Sequence, residues 1–266
     1  MSRTSAENSP SKYYRFAFCD GLEALSARNH NTPFPAHFHP TFNITLVYDG
    51  VFNTKLQDRL VLAPSGTILI TNPHEIHANP FTRDGNVSFF TFYVSRDFME
   101  YCNNGHPVYF EQKTIDDTRL FMDMHLLSVQ LSSNSDFRQL ENELRTTFAT
   151  LATQYGLNRA LEDGKKRILF DELLTGDHFE KFSLADAAKS FGIDKYKFLR
   201  LFKDETGLTP NNYFIYRRIE QSKAMLAEGK DLLSVAIDLG FYDAAHYANH
   251  FKKFTGVSPM NYTSNK

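Results

Sequence analysis

The chain has 266 residues, of which 42% are hydrophobic and 23% charged; this suits about two packed domains and excludes wholesale disorder. Lys+Arg number 29 against 31 Asp+Glu, a net charge of -2, which argues against coating nucleic acid by bulk charge but not against binding it through one face. Cys19 and Cys102 form no CxxC pair and no His/Cys zinc spacing, so a disulfide framework and a zinc finger are both poorly supported.

The first residues, Met1 to Pro10, have no apolar run after a basic start and do not read as a secretory signal. No stretch of about 18 apolar residues occurs, so no membrane span and a cytoplasmic location are expected. Residues 13 to about 115 read as β. Apolar runs at Ile44–Tyr48, Arg59–Leu62, Thr67–Thr71 and Val87–Val94 are separated by turn chemistry such as Asp49-Gly50, Pro64-Ser65-Gly66 and Asn72-Pro73. Short strands at this spacing suggest a small sandwich or barrel.

From Ile115 the period becomes helical. Leu120, Met124, Leu127 and Leu131 share one face, as do Phe137, Leu140, Leu144, Phe148 and Leu151. Two helices over 116–156 form a connector whose apolar faces bury against the β domain or serve a dimer interface.

The tail is basic and repeats itself. Residues 181–266 carry 13 Lys+Arg and 9 Asp+Glu, a balance of +4 that leaves -6 on residues 1–180. Leu184–Tyr213 and Leu233–Tyr262 align at an offset of 49 with ten identities, among them Asp194/Asp243, Phe202/Phe251, Thr206/Thr255, Gly207/Gly256 and Pro210/Pro259. Two copies are too few for a solenoid and read as a pair of small helical modules. In the first, Leu184, Ala187, Ala188 and Phe191 pack, Gly192-Ile193 turns, and Asp194 caps a second helix with Phe198, Leu201 and Phe202 inward. Thr209-Pro210 opens a helix to about Leu226, about 24 Å long. In the second module Leu233, Ala236, Ile237 and Leu239 are expected to pack, Gly240-Phe241 to turn, and Tyr247, Phe251 and Phe254 to face inward. Helix, tight turn, helix is the geometry that places a second helix in a major groove.

These residues resemble the DNA-binding domain of AraC/XylS-type transcriptional regulators. The resemblance covers residues 159 to 262 and rests on Leu184-x-x-Ala187-Ala188, Arg200-Leu201-Phe202-Lys203, Glu205-Thr206-Gly207-x-x-Pro210, Val235-Ala236-Ile237-x-x-Gly240-Phe241 and the run Phe251 to Pro259. It implies that the outward positions of both second helices read bases: Tyr196, Leu199 and Arg200 in the first, Ala245, His246 and Asn249 in the second. Arg200 is the best-suited reader, since a guanidinium pairs bidentately with a guanine edge. Lys195, Lys197, Lys203, Lys252 and Lys253 suit phosphates. Ala244 and Ala245 depart from that role and point to thymine-methyl contact and backbone anchoring.

In the front half, His37-Phe38-His39 followed by Asn43 and Gly50 resembles the first cupin motif, HxH-x3-E-x6-G, and His74-Glu75-Ile76-His77 approximates the second. Asn43 stands where a metal cupin has its acid and is a poor partner for a divalent ion. His37, His39 and His77 alone could still form a three-His set. The favoured reading is a metal-free effector pocket lined by His37, His39, Asn43 and His77, with no cofactor and no catalytic residue.

The expected fold is multidomain α and β: a cupin-like barrel or jelly roll over 13–115, the helical connector over 116–156, and an all-α double helix-turn-helix domain over 159–266. The expected function is an effector-responsive transcription factor, an activator rather than an enzyme. It would bind two adjacent major grooves per subunit, act as a homodimer and, as the resemblance implies, work with RNA polymerase. Two alternatives stand beside it: a metal-dependent cupin enzyme fused to a DNA-binding domain, and a ligand-independent regulator whose barrel only dimerises.

Overall fold

The computed structural model describes residues 11–80, 86–133, 137–159 and 182–264. The described residues form two compact units, one of residues 11–34 and 38–159 with Ser264, the other of residues 35–37 and 182–263. Residues 160–181, at the start of the expected DNA-binding domain, and the chain's first ten residues lie outside the described residues.

The first unit is a two-sheet β structure with helices. Its strands are β1 (Ser11–Arg15), β2 (Glu23–His30), β3 (Phe34–His37), β4 (Phe42–Asp49), β5 (Val51–Lys55), β6 (Leu60–Pro64), β7 (Ile68–Thr71), β8 (His77–Asn79), β9 (Val87–Val94) and β10 (Thr114–Ile115). One sheet has the order β1-β2-β9-β4-β7-β10 and the other β3-β8-β5-β6. The β4–β5 hairpin turns at Gly50, whose φ is +76° and where a Cβ would meet the Asn86 carbonyl oxygen at 2.5 Å, so only glycine fits.

Alternation along β4, β7 and β9 decides what each face of the six-stranded sheet does. Phe42, Ile44, Leu46, Ile68, Ile70, Phe90, Phe92 and Val94 belong to one buried cluster with three helices. These are α1 (Arg96–Cys102), α2 (Thr118–Ser132) and α3 (Phe137–Tyr155). Leu120, Met124, Leu127 and Leu131 of α2 and Leu140, Leu144, Phe148 and Leu151 of α3 all enter that cluster. The connector helices thus bury these faces on the sheet; the side chain of Phe137, expected on the same face, lies outside the described residues. Tyr155 donates from its hydroxyl to the Asp117 carboxylate at 2.8 Å, and Asp117 also caps α2 by accepting from the Leu120 amide at 3.0 Å, which joins the end of α3 to the start of α2. Cys19 and Cys102 lie in the same cluster, and burial pushes their thiols up to about 12 and about 11. They are inert core thiols at neutral pH.

The second unit is all-α: α4 (Leu184–Ser190), α5 (Lys195–Thr206), α6 (Pro210–Ala227), α7 (Leu232–Asp238), α8 (Ala244–Thr255) and α9 (Pro259–Ser264). α4–α5 and α7–α8 are the two repeats, with α6 between them. Phe198 and Phe202 on α5, and Tyr247 and Phe251 on α8, are fully buried. One expectation fails here. Leu233 and Ile237 are 55% and 64% exposed, and α7 buries Val235 and Ala236 instead. A helix of seven residues offers one buried stripe, and positions 233 and 237 share the opposite side. No described helix is long and apolar enough to cross a membrane.

Candidate nucleic-acid interface and sensor interior

Each second helix is fixed at both ends by its own sequence. Asp194 accepts from the Tyr196 and Lys197 amides at 2.9 and 3.0 Å, and Asp243 accepts from the His246 amide at 2.7 Å. Those backbone bonds hold the Asp194 carboxyl below the usual carboxylate range. At the far ends Gly207 and Gly256 take left-handed φ values of +70° and +78° and return their amides to Lys203 and Lys252. The preceding threonines repeat one device: Thr206 donates to the Phe202 carbonyl at 2.7 Å and Thr255 to the Phe251 carbonyl at 2.8 Å. The ten identities of the repeat are thus largely end caps and core aromatics.

Capping and burial leave the outer faces to polar and cationic groups. On α5, Lys195, Tyr196, Lys197, Arg200 and Lys203 are exposed and Leu199 is half-buried. The Lys195 ammonium sits 5.1 Å from the centre of the Tyr196 ring. On α8, Ala245, His246, Asn249, Lys252 and Lys253 are exposed. All eleven residues expected at DNA therefore lie on the two second helices with solvent access. His246 is engaged locally: its Nδ1 accepts from the Tyr242 amide at 3.4 Å, and its Nε2 is 3.1 Å from His250 Nε2. A base contact through His246 requires that pair to open. Tyr242, 91% exposed in the turn before α8, is an outward aromatic that the sequence reading, confined to helical positions, missed. Arg218 on α6 steadies the same turn, donating to the Gly240 carbonyl at 3.3 Å with its guanidinium 5.8 Å from the Phe241 ring centre.

In the β unit the face of the six-stranded sheet turned away from the helices carries buried polar groups. Asn43, Thr45, Thr71 and Thr91 are all under a tenth exposed, and the Thr45 and Thr91 hydroxyls are 2.8 Å apart. Burying polar groups is costly unless they are partnered or used. His37 closes β3, His77 opens the neighbouring β8, and His39 lies in the turn after β3. All three are buried. His39 stacks at a tilt on His77 at 5.5 Å and on Tyr93 at 5.1 Å. The Asn43 amide donates to His77 Nε2 at 3.5 Å. Of the four residues expected in the pocket, His39, Asn43 and His77 are thus brought together, while His37 belongs to the other compact unit. Burial lowers the His77 pKa, so its ring is neutral at pH 7.

A second feature carried no sequence signal. An open cleft lined by His30, Thr32, Phe34, Phe52, Asn53 and Asn79 lies where β2 and β8 end and β3 begins. Asn79 donates to the Asn53 carbonyl at 3.1 Å and to the Thr54 hydroxyl at 2.9 Å, while Asn53 Oδ1 is buried with no hydrogen-bond partner. Such an acceptor suits a donor group on a ligand.

A β unit with a polar interior, followed by a doubled helix-turn-helix, defines a DNA-binding regulator with a ligand-binding domain. Residues 21–147 match the AraC-like ligand binding domain and residues 187–265 match a helix-turn-helix domain. The chain belongs to the AraC family of transcriptional regulators, which are not enzymes. It is 26% identical over 234 residues to the uncharacterized HTH-type transcriptional regulator YbfI of Bacillus subtilis, covering 85% of each chain. It is 23% identical over 260 residues to the HTH-type transcriptional activator RhaS of Shigella flexneri, covering 92% of this chain and 93% of RhaS. Its fold is similar to apo ToxT from Vibrio cholerae, with a TM-score of 0.55 at 12% identity over 97% of this chain and 98% of that one.

Proposed function

We propose that this regulator is a sequence-specific transcriptional activator in the cytoplasm, binding DNA as a homodimer and answering to a small effector held in the β unit. Residues 13–115 serve as the sensor, 116–156 as the dimerising connector, and 159–266 as the DNA-binding domain. The observation that carries the DNA reading is the matched pair α5 and α8, each capped by aspartate and glycine, each with a cationic outer face. They enter two adjacent major grooves per subunit. Arg200, Tyr196 and Leu199 meet bases from α5, and Asn249, Ala245 and His246 from α8, with the lysines on phosphates. Activation proceeds with RNA polymerase, as in the family.

Arg200→Ala is expected to relax discrimination at one base pair at a cost of about 1–3 kcal/mol. Selection of binding sites from a random-sequence duplex pool, followed by competition titrations, measures it. A variant that selects the same site with undiminished affinity would place Arg200 away from the bases.

The effector reading, expected at His37, His39, Asn43 and His77, is supported by the buried set His39, Asn43 and His77 and by the threonines beside it. This lining favours a small polar molecule; the structural relative ToxT has been crystallised with an unsaturated fatty acid. Ligand binding changes DNA affinity only if the two states of the protein bind the ligand differently.

For the homodimer, the support is an apolar stripe on the outer face of α2. Met122, Leu126 and Val129, spaced at i, i+4 and i+7, are each about half exposed. Leu126→Lys is expected to convert dimer to monomer in sedimentation equilibrium while leaving the circular dichroism spectrum unchanged. A variant that stays dimeric moves the interface off α2.

A further inference from the structure

We propose that His246 and His250 on the outer side of α8 bind one divalent cation of the zinc, nickel or copper class, and that the bound ion keeps His246 from the bases. The cation site stands on the geometry of α8 alone; its effect on DNA rests on the groove reading given above.

Residues four apart on a helix share one face, one turn above the other. There His246 Nε2 lies 3.1 Å from His250 Nε2. Two nitrogens, each about 2.0–2.1 Å from one zinc, stand about 2.9 Å apart at a right angle and about 3.35 Å apart at the tetrahedral angle. The separation in α8 falls between these values, so an ion can enter between the rings with little side-chain movement. The buried Phe241 ring backs both imidazoles, its centre 5.6 Å from that of His246 and 6.2 Å from that of His250.

The protons decide how the ion enters. His246 Nδ1 accepts the Tyr242 amide at 3.4 Å, so this ring carries its proton on Nε2 and donates it to His250 Nε2. A cation takes the place of that proton, which moves to His246 Nδ1. The cost is the Tyr242 bond, already long for a hydrogen bond. Burial, then the neighbouring His246 and Lys253, lowers the His250 pKa, so its ring is neutral at pH 7 and offers its lone pair. Two neutral imidazoles suit zinc, nickel and copper, whereas magnesium and calcium require oxygen ligands. Two ligands also hold an ion less tightly than a closed set of four, which makes occupancy reversible. His246 reaches a base only when the pair opens, and an ion bridging both rings holds it shut.

The test is calorimetric titration of the full-length protein, stripped with chelator, with Zn²⁺ alone and no DNA. Zn²⁺ is expected to fill one site that His246→Gln and His250→Gln each weaken about 10-fold or more, while Mg²⁺ gives no binding. Circular dichroism checks that both variants keep the fold. No Zn²⁺ binding, or binding that neither substitution changes, would overturn the site. In gel-shift titrations on the selected operator, Zn²⁺ should weaken binding by the unmodified chain about 5-fold or more, the lower bound for loss of one base contact. That Zn²⁺ effect should vanish in His250→Gln. An ion that occupies the pair yet leaves DNA affinity unchanged, or raises it, would overturn the block on His246. Because the calorimetry contains no DNA, α8 can fail as a reader of bases while the cation site stands.

Discussion

Glu75→Ala is expected to destabilise the β unit by about 3–5 kcal/mol, the usual cost of leaving a buried charge without its partner. The Lys113 side chain is only 4% exposed and its ammonium is 2.8 Å from the Glu75 carboxylate. It also donates to the Phe110 carbonyl at 2.9 Å. The same carboxylate oxygen accepts the Asn72 amide at 2.9 Å, so removing it orphans two donors at once. Burial lowers the Lys113 pKa, and Glu75 opposes that shift. Without Glu75 the folded-state pKa falls further below the unfolded value of 10.5. The unfolded chain then binds the extra proton over that interval, so stability rises with pH. The deficit of the variant is therefore full below the folded-state pKa of Lys113 and shrinks as pH rises from there toward 10.5. Combining Glu75→Ala with Lys113→Met should recover most of the loss, because a buried pair replaced by apolar groups is often neutral. Scanning calorimetry across pH checks each point; a loss under about 1 kcal/mol would mean that water reaches Lys113.

This pair bears on the buried polar groups of the β unit as well as on stability. Glu75 holds the turn from Asn72 into β8 with its side chain, and its carbonyl sets the tautomer of His77. Asn72 ties the same turn to Phe110 by two bonds, its amide donating to the carbonyl at 2.8 Å and its oxygen accepting the amide at 2.9 Å. The buried polar side chains His77 and Asn72 are thus placed by hydrogen bonds from the turn that carries them.

How much of this was legible in the sequence follows from where each signal is local. The runs ending at Tyr48, Leu62, Thr71 and Val94 appear as β4, β6, β7 and β9 because their turn residues and β-branched content agree with the pairing. Glu23–His30 has no such content and becomes β2 through pairing with β1 and β9, a tertiary effect that propensity does not contain. The seven residues of α1 are too few for a readable period. On the helical side, Asp194, Asp243, Gly207 and Gly256 announced both second helices because caps act within four residues. Leu233 and Ile237 misled because hydrophobicity alone does not say which side of a short helix is covered. The two cupin-like stretches drew attention to His39 and His77 because each is a short local pattern, whereas the orphaned Asn53 oxygen exists only once β5 and β8 are paired.

Phe202→Ala and Phe251→Ala provide the sharpest separation of the two DNA-binding modules. The residues are equivalents in the repeat, both fully buried, and each meets the aromatic that the repeat also conserves. Phe202 packs edge-on against Tyr213 at 5.6 Å, and Phe251 packs edge-on against Tyr262 at 5.3 Å. Truncation of either ring should cost about 3–5 kcal/mol through lost burial and the cavity left behind. Because each phenylalanine anchors the inner face of one second helix, the damage should be confined to that module. Footprinting on the selected operator is expected to show Phe202→Ala losing protection over the half met by α5, and Phe251→Ala over the half met by α8. Arg200→Ala, on the exposed side of α5, should leave thermal stability unchanged and alter only base preference. If either core variant erases protection over both halves, the modules unfold together, and α6 joins them into one cooperative unit rather than spacing two independent readers.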